Sequence, residues 1–571
     1  MAAYKHYPER PESLTAEFVR DEYERLSARS EFHSEYSATH SSGDGLASAS
    51  AMRALVSGEG ARRSHAFARG MGDAEREEAD RYWRQEVMPV AQRGESTFVN
   101  ALIASPHRAA LAERHGEHLV RLLEAAVEPL APVNAELRVT AGNLFTEYMK
   151  IVAGGEVEIK GERMTLAMAG SLASSPDRET RREAFVAARQ WMLDHREALA
   201  GIYDELVKVR HEMARNLGHE NFIRLGYLGM GRTDYGPAEV ARFRENVRTY
   251  VVPLLRRLRE KQADALGVET LRPWDGAYDP DLTLPLGIVP IESQLEKAQL
   301  VFDALEPQLG RHFLRMRDED LIDLENRKGK RSGAYCTTFA DEGLVAILCN
   351  STGDQDDVRT LMHEMGHAFQ KWESQPIEDI GLQRPTADLA EVHSMGMEYL
   401  SMRHMNEFFS GEDLTKFRRG RWKKAITLLA YVCVVDEFQH WVYANPNVTP
   451  DERDAEWNRL WDIYEPVSDF TGIEQYKAAR WYAQSHIFGM PFYYIDYALA
   501  ETGAMQLALI DAHDHATGLA KYLELCRIGG TASLQSVFAR TGLRSPFDPE
   551  VMRDLMEHAA SELAVGAPVA S

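Results

Sequence analysis

His363, Glu364 and His367 stand at positions i, i+1 and i+4 of the segment DDVRTLMHEMGHAFQK, residues 356–371. Residues four apart share a helix face, so both imidazoles can reach a single ion. The glutamate that follows the first histidine leans over the same space without being a ligand. A carboxylate there can take a proton from a water acidified by the ion, which is the chemistry of metal-assisted hydrolysis. A hydrolytic zinc takes three protein ligands and keeps one position open, so a third ligand must come from elsewhere.

A metzincin would carry Gly at 370 and His at 373; Gln370 and Glu373 stand there and exclude that pattern. The better candidate is Glu391, 24 residues after His367 in PTADLAEVHSMGMEYL, residues 385–400. That interval lets one helix end, the chain turn back, and a second helix lie beside the first. Asp388, Glu391, Ser394 or Met395, and Glu398 follow at three- and four-residue steps and so share roughly one face. Three carboxylates on one face are poor core material, but they make sense if one binds metal and others orient the histidines. His393 falls on another face and is not chosen as a ligand. Gly366 costs about 1 kcal/mol against Ala inside a helix, which points to a neighbour packed very close.

Most of the chain has helical periodicity. Pro176–Leu217 reads as a helix capped by Ser175 and stopped by Gly218, and helices also fit Ala74–Met88, Ala238–Leu266, Thr415–Ala444 and Pro491–Leu509. Pro253 should kink or break the second of these. Strand signals are few: Glu156–Leu166 alternates around Gly161 as a hairpin, and Leu344–Cys349 is a short apolar run feeding the metal-motif helix. Thr39–Ser50 and Trp274–Pro290 read as loops. The fold expected is mainly α, with a small sheet beside the metal motif.

At 571 residues the chain exceeds one compact core, and two lobes are expected. The formal charge of −23, from 65 basic and 88 acidic residues, argues against a nucleic-acid partner. Arg256, Arg257, Arg259 and Lys261 read as a solvated helix face. No apolar run resembles a signal peptide or a membrane span, and four scattered cysteines form no CxxC pair. A reducing, cytoplasmic location without membrane contact is expected.

The blocks HEMGHAFQ (363–370) and Glu391-Val392-His393-Ser394 with Glu398 resemble the thimet oligopeptidase and oligoendopeptidase F group of zinc metallopeptidases, on its bacterial branch. Members usually carry Ala or Pro where this chain has His393. The resemblance implies one Zn2+ per chain held by His363, His367 and Glu391, with Glu364 as general base. GKRSGAYCTTF (329–339) looks like the family segment whose backbone pairs with an extended peptide, Gly333, Ala334 and Tyr335 lying closest. HIFGMPFYYIDYAL (486–499) looks like its His- and Tyr-rich segment, implying that His486 and Tyr497 donate to the oxyanion. Tyr493 and Tyr494 compete for a second tyrosine role, since either shares a face with Tyr497 if the helix runs from Pro491. Gly529-Gly530 resembles a family loop near the site.

The family implies a gluzincin-type clam shell, an N-terminal helical lobe near residues 1–200 and a catalytic lobe over 201–571, enclosing a deep channel. Short unstructured oligopeptides, cleaved internally, are the substrates that shape admits. A carboxypeptidase on a related helical scaffold and a non-catalytic peptide-binding protein are the rivals. Oligomeric state is not encoded in these patterns.

Overall fold

The computed structural model describes residues 14–28, 45–104 and 108–565. Helices dominate, and two small sheets interrupt them. The hairpin pairs β1 (Glu156–Ile159) with β2 (Glu162–Thr165), antiparallel, through Lys160 and Gly161 with φ of 53° and 80°. Two successive left-handed residues match the twist of a two-residue hairpin, which explains the glycine. The second sheet has the order β3 (Ile322–Glu325), β5 (Leu344–Ser351), β4 (Tyr335–Phe339). β5 pairs parallel to β3 and antiparallel to β4. Flanked on both sides, it buries Val345 through Cys349, as its unbroken apolar run requires.

One large core gathers side chains from Tyr148 to Leu563. A second joins residues between Leu14 and Val120, with Leu382 inserted from the segment that links the two motif-bearing helices. The hairpin closes a small third cluster through Val157, Ile159, Ala169 and Ala184.

Several sequence expectations need correction. The helix expected over Pro176–Leu217 is two, Arg178–Asp194 and Arg196–Asn216, and its cap is Asp177, which accepts from the Thr180 amide. The break falls at His195, whose ring stacks on Trp191 at 3.9 Å and meets the Trp191 carbonyl at 2.8 Å. Pro253 does not end the helical run: a wide π turn, Val247–Val251, interrupts the α-helix just before it, as Trp83–Val87 does before Pro89. Thr39–Ser50 falls partly outside the described residues, and its end, from Gly45, begins the helix Gly45–Arg69. Trp274–Pro290 is largely loop. Arg259 is not on a solvated face but buried, paired with the equally buried Glu465 at 3.1 Å.

Candidate metal centre

The metal-motif helix spans Gln355–Glu373. Asp354 caps it by accepting from the Asp356 and Asp357 amides, and Asp357 returns the contact to the amides of Thr352, Gly353 and Asp354. The reciprocal box fixes where the helix leaves β5 and so where its histidines point. The glutamate helix, Ala387–Leu400, lies across it. At their crossing a Cβ on Gly366 would stand 2.5 Å from the His393 carbonyl oxygen and 2.6 Å from Ser394 Cα. No side chain fits there, which is the close neighbour that the misplaced glycine implied.

This crossing brings His363, His367 and Glu391 together, with one donor atom of each within 4.8 Å of the others. Donors about 2.0–2.2 Å from one tetrahedral ion stand roughly 3.3–3.6 Å apart. His363 Nε2 is 3.3 Å and His367 Nε2 3.7 Å from Glu391 Oε2, so the trio fits a zinc-sized cation with nitrogen and oxygen donors. Ser394 Oγ, at 2.9 Å, steadies the Glu391 carboxylate.

Electrostatics agree with a cation site. Burial opposes charge on Glu391, but the His363 hydrogen bond and the charge of both imidazoles outweigh it and hold the carboxyl at about 2. Burial also opposes charge on His363, yet Glu391 and Glu398 raise it to about 10, while burial and neighbouring positive charge push His367 down to about 3. Glu391 and Glu398 thus favour positive charge at His363.

Behind the ligands stands a buried relay. Glu398 Oε1 accepts from His363 Nδ1 at 2.8 Å, leaving Nε2 free to face Glu391. Arg421, from the long helix Gly411–Ala444, lies 2.7 Å from the other Glu398 oxygen and 2.9 Å from Glu501. Tyr399 OH donates to Glu501 at 2.7 Å, and Arg421 lies over the Tyr399 ring at 4.2 Å. Asp388 orients no histidine; Tyr235 OH donates to it at 2.7 Å. His393 is buried and is not among the residues whose donor atoms converge. Arg421 stands in the basic stretch RRGRWKK, of which Trp422 and Lys423 are buried with it.

Glu364 is 6% exposed, and its Oε2 is enclosed without a partner. Burial raises its pKa, which suits a carboxylate that must accept a proton near neutral pH.

The aromatic wall departs from the expected helix. Phe492 adopts φ 64°, its amide held by Gln439 and its carbonyl by Arg232, so the helix starts only at Ile495 and runs to His513. Tyr493 and Tyr494 therefore precede it. Both rings still approach Tyr497, at 5.2 and 5.5 Å. Their environments differ: Glu391 charge reaches Tyr493 and Tyr497, which also bond to each other, whereas Tyr494 faces Tyr431 and Arg480. His486 stacks parallel to Tyr493 at 5.6 Å, and its Nδ1 meets Gln484 at 2.8 Å.

Of the segment 333–335 only Tyr335 lies in a strand; Gly333 and Ala334 precede it, exposed, with the Gly333 carbonyl held by Asn350 at 2.7 Å. β4 is an edge strand, the kind of element to which an extended peptide adds. Lys371 ties it to the metal-motif helix through the Cys336 carbonyl, and His65 meets Tyr335 OH at 3.1 Å. Gly529 and Gly530 pack on the linking chain, where the Gly530 amide donates to the Leu382 carbonyl.

A histidine pair and glutamate on crossed helices, with a buried unpaired carboxylate beside them, define a metallopeptidase-type centre. The family model Peptidase family M3 matches residues 171–557, and the Peptidase M3 N-terminal domain model matches residues 46–129. The chain belongs to peptidase family M3, and it is a hydrolase of the peptidase class. It is similar to the structure of Pz peptidase A with an inhibitor, 32% identical, TM-score 0.88, covering 98% of this chain and 99% of that one. It is also similar to the chromosomal oligoendopeptidase F of Lactococcus lactis subsp. cremoris, 25% identical across 67% of this chain and 63% of the relative. Group B oligopeptidase PepB of Streptococcus agalactiae is 28% identical, over 37% of this chain and 34% of its own length. The mainly helical, two-lobed gluzincin-type fold is shared with these peptidase structures.

Proposed function

We propose that this chain is a zinc-dependent metalloendopeptidase that cleaves internal bonds of short, unstructured oligopeptides. The observation that carries it is the pairing of the convergent His363, His367 and Glu391 donors with the buried, unpartnered Glu364 carboxylate. The three donors would hold one zinc per chain, which when bound supplies a Lewis acid and an acidified water. Glu364 takes the proton of the attacking water and returns it to the leaving amine. Tyr497 and His486 donate to the oxygen that gains charge, and Tyr493, bonded to Tyr497, fixes that hydroxyl. The β4 edge orders the peptide backbone by strand addition. A lobe near residues 1–200 and a catalytic lobe over 201–571 would confine substrates by size, and the relatives' names, oligopeptidase and oligoendopeptidase, support that class. The four cysteines are free thiols and no described helix is long and apolar enough to cross a membrane, which supports work in the cytoplasm.

The test is digestion of a quenched peptide of about ten residues, blocked at both ends, with chelator and with zinc restored. Internal cleavage that stops with chelator and returns with zinc is expected. A zinc-loaded protein that cleaves only peptides with a free terminus would make it an exopeptidase instead.

A further inference from the structure

Arg189, on the helix Arg178–Asp194, and Arg480, on Gln475–Tyr482, are partly buried guanidiniums with no ion pair among the described residues. Several other interior arginines pair with carboxylates, Arg181 with Asp275 at 3.0 Å, Arg232 with Asp496 at 2.6 Å and Arg453 with Asp204 at 2.9 Å, while Arg210 bonds the Tyr443 hydroxyl and the Phe488 carbonyl. In a chain of net charge −23, carboxylates are not scarce. Glu465, whose charge reaches Arg480, is itself committed to Arg259. Burial and the Arg480 charge both work against charge on Arg189, whereas Tyr431 and Tyr494 favour charge on Arg480, which also bonds Tyr431.

Both planes are fixed by rings. Arg189 lies over Phe185 at 5.4 Å and Arg480 over Tyr431 at 4.5 Å, with Arg480 Nε enclosed and without an acceptor. The place is continuous with the catalytic wall. Tyr431 OH donates to Gln484 at 2.8 Å, Gln484 meets His486 Nδ1 at 2.8 Å, and the Tyr494 ring is 5.8 Å from Tyr431 and 5.0 Å from His486. Planar forks held on ring faces are preorganised for two-point bonding to a carboxylate.

We propose that Arg189 and Arg480 form a carboxylate-binding subsite at the end of the aromatic wall away from the metal ligands, which engages the C-terminal carboxylate or an acidic side chain of the substrate peptide. This rests on the peptidase function proposed above and names a substrate class for it. The chain's overall negative field repels anionic peptides at a distance. A local pair of cations without a carboxylate ion pair reverses that preference at contact, and it gives Tyr494 a place in substrate contact distinct from that of Tyr493.

The test uses one neutral N-blocked decapeptide in three forms: C-terminal amide, free C-terminal acid, and amide with a single Glu scanned through the C-terminal half. KM and kcat are measured for the wild type and for Arg189→Met, Arg480→Met and Arg480→Lys. One carboxylate form is expected to bind at least ~10-fold tighter than the neutral amide, the effect of one charge-assisted bond or more. That ratio should collapse towards one in both Met variants and survive in part in Arg480→Lys; the form that shows it identifies the source of the carboxylate. Thermal melting checks folding, and relief of repulsion should leave Arg189→Met no less stable than wild type. A ratio near one in the wild type, or an unchanged ratio in folded Met variants, overturns the subsite. Fluorescence anisotropy of the same labelled peptides on Glu364→Gln protein reads the ratio without turnover. Carboxylate-dependent binding with no cleavage by the wild type would remove the peptidase function and keep the subsite; cleavage blind to carboxylates would do the reverse.

Discussion

Replacing Arg421 by Met should weaken a zinc site that Arg421 never touches. The guanidinium is 2% exposed in its side chain and sits between Glu398 and Glu501, 2.7 and 2.9 Å away, both of them buried. Burial opposes ionisation of Glu398, and the Arg421 charge, followed by His363, keeps it at about 2. Without Arg421 two buried carboxylates lose their counter-charge, a loss of about 3–5 kcal/mol in stability for one broken buried pair. Glu398 would then recover part of that by taking a proton, and a protonated Glu398 no longer accepts well from His363 Nδ1. The imidazole loses its fixed orientation, and metal affinity should fall by ~10–100-fold, the usual effect of removing an outer-sphere carboxylate contact. Competition with a chromophoric chelator measures that affinity, and denaturant unfolding of the metal-free protein measures the stability. Adding Glu501→Gln should restore part of the stability, since it removes one of the orphaned charges, while leaving zinc weakly bound. If Arg421→Met proves too unstable, Glu398→Gln, which keeps shape but not charge, should lower zinc affinity by ~10-fold. A folded Arg421→Met protein that holds zinc within a factor of about two of wild type would refute the relay.

Glu364→Gln should retain zinc and lose activity by at least ~10²–10⁴-fold, the contribution of a positioned base; metal analysis beside turnover checks it, and near-normal turnover would remove Glu364 from that role. Gly366→Ala should destabilise by about 3 kcal/mol or more, because the added methyl meets backbone that cannot rotate away; a wild-type melting curve would contradict the close crossing. His65 is held neutral, at about 4, by burial first and then by Arg69, with Lys330 adding and Asp323 and Asp320 opposing. Its folded pKa lies below the unfolded value of about 6.5, so this contribution is complete above that pH and is lost as pH falls towards 4. The loss is at most about 3 kcal/mol, and His65→Phe, which cannot take a proton, should flatten the stability profile between those limits.

The metal motif was legible because its determinants are local. Helical spacing places two histidines on one face whatever the rest of the chain does, and Gly366 inside that helix points to a closely packed neighbour. The hairpin around Gly161 and the buried strand β5 were equally plain, since alternation and an unbroken apolar run are short-range signals. What stayed hidden depends on distant partners. Phe492 leaves the helical region because Gln439 and Arg232 seize its backbone, so no inspection of residues 486–499 alone could place Tyr493 and Tyr494 off the helix. Arg259 looked like a solvated cation because Glu465, the carboxylate that holds it, stands far along the chain. The difference between Tyr493 and Tyr494 is likewise electrostatic, Glu391 charge reaching Tyr493 and Arg480 charge reaching Tyr494.

The contact at Gly366 has a consequence for how this sequence can change over time. The interval between the two ligand-bearing helices is set where main chain rests on main chain, as a gauge block sets a gap, and not by the fit of replaceable side chains. Substitutions in the surrounding core can accumulate and repack without altering that interval. The glycine itself has no such freedom, so lineages can diverge almost everywhere around this site while keeping it in calibration.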